Sequence, residues 1–213
     1  MDPMITEQQQ LESLKKWWQT YGTTVMLSIA AAIITITVWQ YWHRHREQEL
    51  NYASARYEQL LTSVVNHDEQ GVLSQAQRLM QRYTNTPYAP LAAFFLARQE
   101  VNQQNYDAAK QHLLWVMEHS NNAALKQMAR MRAARLYLLE NKPAIALHLL
   151  ETVDDPAFQV AIMEIKGDCL RAQGHLAAAQ AAYLQALREF PGIENNRPIL
   201  QMKADDLATG AAS

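Results

Sequence analysis

Residues able to do chemistry are few in this chain, and their spacing argues against catalysis. His43 and His45 stand two apart, so a helix points them in different directions. Beside Arg44 and Arg46 they suit a lipid headgroup zone better than a metal. His112 and His119 are seven apart and share a helix face, yet no acid or cysteine beside them completes a ligand set. Asp154 and Asp155 precede Pro156, which signals a turn rather than a carboxylate dyad. Cys169 is the only cysteine, so no intrachain disulfide is available and the redox compartment stays open. Its apolar helical surroundings make it a buried structural thiol. The sequence holds no Gly-rich phosphate loop, no CxxC and no HExxH. It asks for no metal and no cofactor, and it reads as a non-enzyme. The chemistry that remains is recognition, which depends on how helices present their side chains.

The element that organises the rest is the run 17–42, WWQTYGTTVMLSIAAAIITITVWQYW, which holds 26 residues without a charge. As a helix at about 1.5 Å per residue it spans roughly 39 Å, where a bilayer core needs about 20 apolar residues. The excess lies at the ends: Trp17, Trp18 and Tyr21 form one aromatic belt, and Trp39, Tyr41 and Trp42 the other. Lys15 and Lys16 flank the first belt, Arg44 and Arg46 the second, where long cationic side chains snorkel. A cleaved signal peptide fits poorly, because the apolar stretch 25–29 before the small residues Ala30 and Ala32 is too short for an h-region. A buried core helix rarely stays uncharged this long. Thr23, Thr24, Ser28, Thr35 and Thr37 inside the run are expected to bond back to their own helix. Orientation stays open: Lys15 and Lys16 face Arg44, Arg46 and Arg56 across the span, a margin that leans slightly toward a cytoplasmic C-terminus.

Residues 1–16 are short and polar, too few for a domain and expected to be disordered or weakly helical. Residues 47–213 carry a net charge of −3, which argues against a nucleic-acid partner. From residue 44 to 65, Tyr57, Leu60, Leu61 and Val64 recur at helical spacing, and no Gly or Pro separates this helix from the anchor. His67, Asp68 and Gly71 make a turn. Beyond it the chain reads as helix after helix.

Internal similarity gives the frame. In residues 165–191, Gly167, Leu170, Gly174, Ala179, Tyr183, Ala186 and Pro191 fall at the spacing of the tetratricopeptide repeat, a helix–turn–helix of about 34 residues. Upstream the frame recurs more weakly: Ala134, Tyr137, Ala146, Leu150 and Val153, then Ala97, Ala109, Leu113 and Val116, then Ala76, Met80 and Tyr83. The small residue of each second helix thus stands at 76, 109, 146 and 179, with intervals of 33, 37 and 33. The longer interval suggests extra turn residues around 119–123. After Pro191 and Gly192, PILQMKADDLA forms a closing helix and ATGAAS a frayed tail. The expected domains are a tail at 1–16, a transmembrane helix at 17–42, a repeat domain at 43–192, and a capping helix with tail at 193–213.

Repeats of this kind bind other chains on a concave face. In tetratricopeptide arrays that face comes from the second, fifth, ninth, twelfth and thirteenth positions of each first helix. Here those are Leu91, Phe94, Arg98, Val101 and Asn102, then Met128, Met131, Arg135, Leu138 and Leu139, then Ala161, Glu164, Asp168, Arg171 and Ala172. The first two sets are mostly apolar and rich in Met, which adapts to irregular partners. They make Leu91, Phe94, Arg98, Val101, Met128, Met131, Arg135 and Leu138 the candidate partner-binding residues. Either another helix of this chain covers that stripe or it is open to a partner.

The order of these features resembles a known family. LKKWWQTYG, an anchor ending in WQYWHR, a degenerate repeat domain, GDCLRAQGHLAAAQAAYLQAL and a closing LQMKADDLA are similar to YfgM-type ancillary subunits of the bacterial Sec translocon. The resemblance implies an all-α protein: one N-terminal transmembrane helix followed by a tetratricopeptide-like solenoid. It further implies a single-pass inner-membrane protein with a cytoplasmic N-terminus and a periplasmic repeat domain. The implied partners are the Sec channel, a membrane-anchored periplasmic chaperone of the prolyl-isomerase type, and newly exported client chains. The Lys/Asn carboxylate clamp of chaperone-tail-binding repeats is absent. The competing reading is a membrane-tethered regulatory scaffold with cytoplasmic repeats that hold a signalling protein.

Overall fold

With no Gly or Pro after Gly22 to interrupt it, the first helix, α1, runs unbroken over Pro3–Val65. The computed structural model describes residues 3–189 and 197–210, with side chains for all of these except 3–10, 13, 197, 209 and 210. The chain divides into two compact units, Met1–Asn51 and Tyr52–Ser213.

The first unit is helical from Pro3 onward, so the short polar terminus is part of α1. Its apolar stretch is long and apolar enough to cross a membrane, and almost none of it is buried against protein. Leu27, Trp39 and Trp42 are 71, 65 and 73 % exposed. Uncovered apolar side chains over this length suit lipid rather than water. Three of the expected hydroxyls bond back within the helix, and Thr23 and Thr24 do not: Ser28 donates to the Thr24 carbonyl (2.8 Å), Thr35 to Ala31 (2.8 Å) and Thr37 to Ile33 (2.6 Å). His43 and His45 stack on Trp39 and Tyr41 and approach Glu47 and Glu49, one turn on.

The second unit opens with the last turns of α1 and continues as α2 (Glu69–Arg82), α3 (Tyr88–Asn102), α4 (Tyr106–His119), α5 (Ala123–Leu139), α6 (Pro143–Leu149), α7 (Gln159–Ala172), α8 (Leu176–Arg188) and α9 (Arg197–Gly210). A 3₁₀ turn, Pro156–Phe158, precedes α7. Helices adjacent in sequence pack in antiparallel pairs. The closest approaches are made by alanines: Ala76, Ala109, Ala146 and Ala179, one on each second helix, are fully buried. Gly167 on α7 does the same work, since a Cβ there would run into the Tyr183 ring.

Each hairpin closes with the same turn. The second residue after the first helix has positive φ: His67 (55°), Gln104 (61°), Asn141 (59°) and Gly174 (79°). At the second turn Asn105 N–H donates to the Glu100 carbonyl (2.8 Å) and Gln104 N–H to Val101 (3.0 Å). The same two bonds recur as Asp68 to Ser63 with His67 to Val64, Lys142 to Tyr137 with Asn141 to Leu138, and His175 to Leu170 with Gly174 to Arg171. This is the Schellman motif, which ties the last carbonyls of one helix to the next turn.

Four apolar clusters join hairpin to hairpin. Ala53 and Leu60 of α1 meet Ala76, Leu79, Ala92 and Leu96. Ala93, Phe94 and Ala97 join Leu113, Val116, Ala129 and Leu136. Met131 and Ala134 join Ala146, Leu150, Ile162, Ile165 and Cys169. Tyr183, Ala186 and Leu187 are closed off by Leu200 and Ala204 of α9. α9 lays Leu200 and Ala204 on α8 and leaves Ile199 and Met202 exposed beside Asp205 and Asp206. The fold is all-α: a membrane-spanning helix followed by a tetratricopeptide-like solenoid.

Several sequence expectations change. Leu61 is 38 % exposed, off the face that buries Leu60. The long middle repeat does not hold extra turn residues: the turn is only residues 120–122, and the added length is helical, α4 running to His119 and α5 from Ala123 to Leu139. α9 continues through Gly210, so part of the expected tail is helix. Pro191 and Gly192, expected to end the last repeat, lie outside the described residues, as do Ala211 to Ser213.

Candidate functional site

The frame places each candidate residue on α3 or α5, and the two helices rotate them to different ends. Leu91, Phe94, Arg98 and Met128 line a groove of about 310 Å³ together with Tyr57, Phe95, Leu125 and Arg132. Phe94, Arg98, Val101 and Arg135 line a second one of about 340 Å³, with Ala97, Leu113, Arg132 and Leu136. Phe94, Arg98 and Arg132 border both, so the two adjoin. Leu91, Val101 and Met128 are half-buried, leaving apolar surface open to a ligand.

Two candidates are not brought there. Met131 is 6 % exposed and packs with Ala134, Leu150 and Ile165, so it belongs to the core between α5 and α7. Leu138 lines a separate hollow with Asp168, Arg171, Ala172 and Lys203. Phe94 has both roles, being 8 % exposed and part of the α3–α5 core while its ring forms groove floor.

Arg132 was missed by the sequence frame. Its guanidinium lies over the Phe94 ring, 4.6 Å from the centroid, a cation–π contact. Burial, and then the charge of Arg135 one turn away, holds it below the ordinary arginine range. A cation next to an aromatic core residue was the available signal, but MARMRAAR offers three arginines, and only packing tells them apart. Arg130 turns the other way: its Nε donates to Asp154 (2.9 Å) and its Nη1 to the Leu149 carbonyl (3.2 Å).

In the third set of concave-face residues, Glu164 and Asp168 are engaged within the fold, while Arg171 and Ala172 stay exposed. Lys203 of α9 reaches back to Glu164 (2.7 Å) and Asp168 (2.9 Å), and the Tyr183 hydroxyl donates to Asp168 (2.7 Å). These bonds lock the cap onto the last hairpin. Cys169 is fully buried, and burial, with Asp168 beside it, pushes its thiol up to about 11, so it stays protonated and inert. His119 stacks on Trp115 at 4.4 Å, and Asp155 caps the 3₁₀ turn by accepting from Ala157 N–H (2.9 Å). Among the described residues no three His, Cys, Asp or Glu side chains cluster as metal ligands would.

Fold and groove together define a membrane-anchored tetratricopeptide-like repeat protein whose solenoid presents an apolar, arginine-bordered groove. The family model of the tetratricopeptide repeat-like domain matches residues 15–209. The ancillary SecYEG translocon subunit of Neisseria gonorrhoeae is 30 % identical over 207 residues, covering 95 % of this chain and 98 % of the relative. That of Haemophilus influenzae is 26 % identical over 203 residues, with the same coverage of 95 % and 98 %. That of Escherichia coli is 22 % identical over 210 residues, covering 98 % of this chain and 100 % of the relative. The chain belongs to the family of ancillary SecYEG translocon subunits. No solved structure shows a significant match.

Proposed function

We propose that this protein is a non-enzymatic adaptor of the Sec translocon. Its helix α1 holds it in the inner membrane beside the channel, with the N-terminus in the cytoplasm and the repeat domain in the periplasm. There the groove between α3 and α5 receives a segment of a membrane-anchored periplasmic chaperone of the prolyl-isomerase type, or of a newly exported chain. The observation that carries this reading is the extent of the match: relatives named as ancillary SecYEG translocon subunits align across anchor, repeats and cap alike. A groove with half-buried Leu91, Val101 and Met128 supports the binding role, because apolar surface of this kind marks interaction sites.

The test is affinity capture of the tagged full chain from detergent-solubilised membranes. The wild type is expected to bring down the channel and the chaperone. Leu91→Gln with Met128→Gln is expected to lose the chaperone while keeping the channel, because both side chains are partly open; Met128 also packs against the core between α3 and α5, so a thermal melt of the variant is the control. A wild type that captures no channel subunit refutes the adaptor reading. A reporter fused at the C-terminus settles orientation: activity of a cytoplasm-only reporter would favour the tethered regulatory scaffold instead.

A further inference from the structure

Three cations are tied into ion pairs within the fold. Lys110 is held by Asp107 and Glu140, Arg130 by Asp154, and Lys203 by Glu164 and Asp168. The guanidiniums at the groove are exposed and hold no such pair. Arg98, Arg132 and Arg135 all border it, and none of the described carboxylates forms an ion pair with them. The nearest acids are already engaged: Glu100 accepts from the Asn105 side chain at 2.9 Å, and Glu140 is held by Lys110 and Lys142. Glu69 shares a neighbouring hollow with Arg98 but forms no ion pair with it.

Like charges side by side on an apolar floor repel, and partial desolvation of Arg132 adds to the cost. An anionic occupant would relieve both. Guanidinium forks match carboxylates in two-bond geometry, and Arg132, resting on Phe94, is already oriented. Two adjoining hollows of about 310 and 340 Å³ are sized for side chains and lie next to the cations.

We propose that the groove takes an acidic segment of a partner polypeptide in which Asp or Glu alternates with Phe or Leu. Its carboxylates meet Arg98, Arg132 and Arg135, and its apolar side chains rest on Leu91, Phe94 and Met128. This names the ligand chemistry of the groove and rests on the binding reading given above. A lipid headgroup would use the guanidiniums but would leave the paired apolar hollows without purpose.

The full chain in nanodiscs of zwitterionic lipid would be titrated with a fluorescein-labelled peptide of three Asp-Phe-Glu-Leu repeats, and with its Asn-Phe-Gln-Leu counterpart. The acidic peptide is expected to bind about tenfold tighter or more, as charge-assisted pairs allow, and the gap should narrow as salt is raised. Arg135→Gln should remove most of that advantage without altering the melt, since Arg135 is exposed and supports no internal ion pair. Arg135→Glu should shift preference toward a Lys-Phe-Lys-Leu peptide. Leu91→Gln with Met128→Gln should weaken the acidic and neutral peptides alike. Equal affinity for the two peptides overturns the acidic ligand; if that affinity still falls with the Leu91 and Met128 changes, the groove itself survives. Peptide binding untouched by either set of substitutions overturns both. Arginine-dependent binding of phosphatidylglycerol vesicles with no peptide binding overturns the proposal in favour of a lipid headgroup.

Discussion

Gly167→Ala should destabilise the repeat domain, although the same change in most helices does the opposite. Gly167 lies inside α7, where an exposed Gly→Ala would gain about 0.8–1.0 kcal/mol from helix propensity. Here the new methyl meets the Tyr183 ring, which is fully buried on α8. The ring has little freedom to yield, because its hydroxyl donates to Asp168 at 2.7 Å and Asp168 is itself held by Lys203. Overpacking a tight core costs about 1–3 kcal/mol. Strain therefore outweighs propensity, and the net loss should be about 1 kcal/mol. Urea unfolding of fragment 47–213 measures this well, since Trp115 is its only tryptophan and stacks within the fold on His119. With m of about 2 kcal/mol/M, the midpoint should fall by roughly 0.5 M. Tyr183→Leu supplies the control: it lowers overall stability but removes the ring. In that background Gly167→Ala should reverse sign and raise the midpoint. A rise in the wild-type background, or the same sign in both, would refute the claim that α7 and α8 meet here at Gly–Tyr contact.

The turns offer a second test: Gly174→Ala should cost about 1–2 kcal/mol from positive φ alone, because no atom lies within 4 Å of the added Cβ, while Gln104→Gly should stabilise, both read from urea midpoints. Ile34→Arg should cost roughly 2.5–3.5 kcal/mol of membrane insertion, so alkaline extraction should release part of the protein; full retention in the pellet would contradict a single marginal span. The hydrogen bond from Lys110, and then that from Lys142, hold Glu140 below the usual carboxylate range. A depressed carboxylate adds stability above its unfolded pKa and loses it as pH falls through the folded value. The urea-midpoint advantage of wild type over Lys110→Met should therefore shrink as pH drops from neutral to below about 4.

The fold was legible where a residue type is forced by geometry. Tryptophan belts and an uncharged run mark the anchor, and Ala76, Ala109, Ala146 and Ala179 mark close helix contacts where nothing larger fits. The hairpin turns were legible at Gly174 and, through His67 and Asp68, at the first hairpin, although Gly71, expected in that turn, lies inside α2. Gln104 and Asn141 adopt the same left-handed conformation without being glycine, and residue identity gave no sign of them. Their bond pattern, not their chemistry, repeats. The 37-residue interval was misassigned for a related reason: helix and turn both tolerate the polar stretch around His119, and only the length of α4 shows which it is.

For the site, the borrowed frame of surface positions puts its α3 residues along the groove but, on α5, only Met128 and Arg135. Packing explains the difference. α3 supplies Leu91, Phe94, Arg98 and Val101 along one face of the groove, as the spacing requires. α5 is covered from two sides: Ala129, Ala133 and Leu136 pack toward α3 and α4, while Met131 and Ala134 pack toward α6 and α7. Met131 falls within that second contact and is lost to the core. What α5 leaves for the groove is a strip holding Leu125, Met128, Arg132, Arg135 and Leu136. The stripe that reads as apolar and Met-rich in sequence thus becomes a mixed lining, Leu91, Phe94 and Val101 beside Arg98 on α3 and Leu125, Met128 and Leu136 beside Arg132 and Arg135 on α5. On the proposed reading, a partner segment meets this lining best when it carries acidic as well as apolar side chains. A uniformly hydrophobic client would leave the guanidiniums desolvated and unpaired.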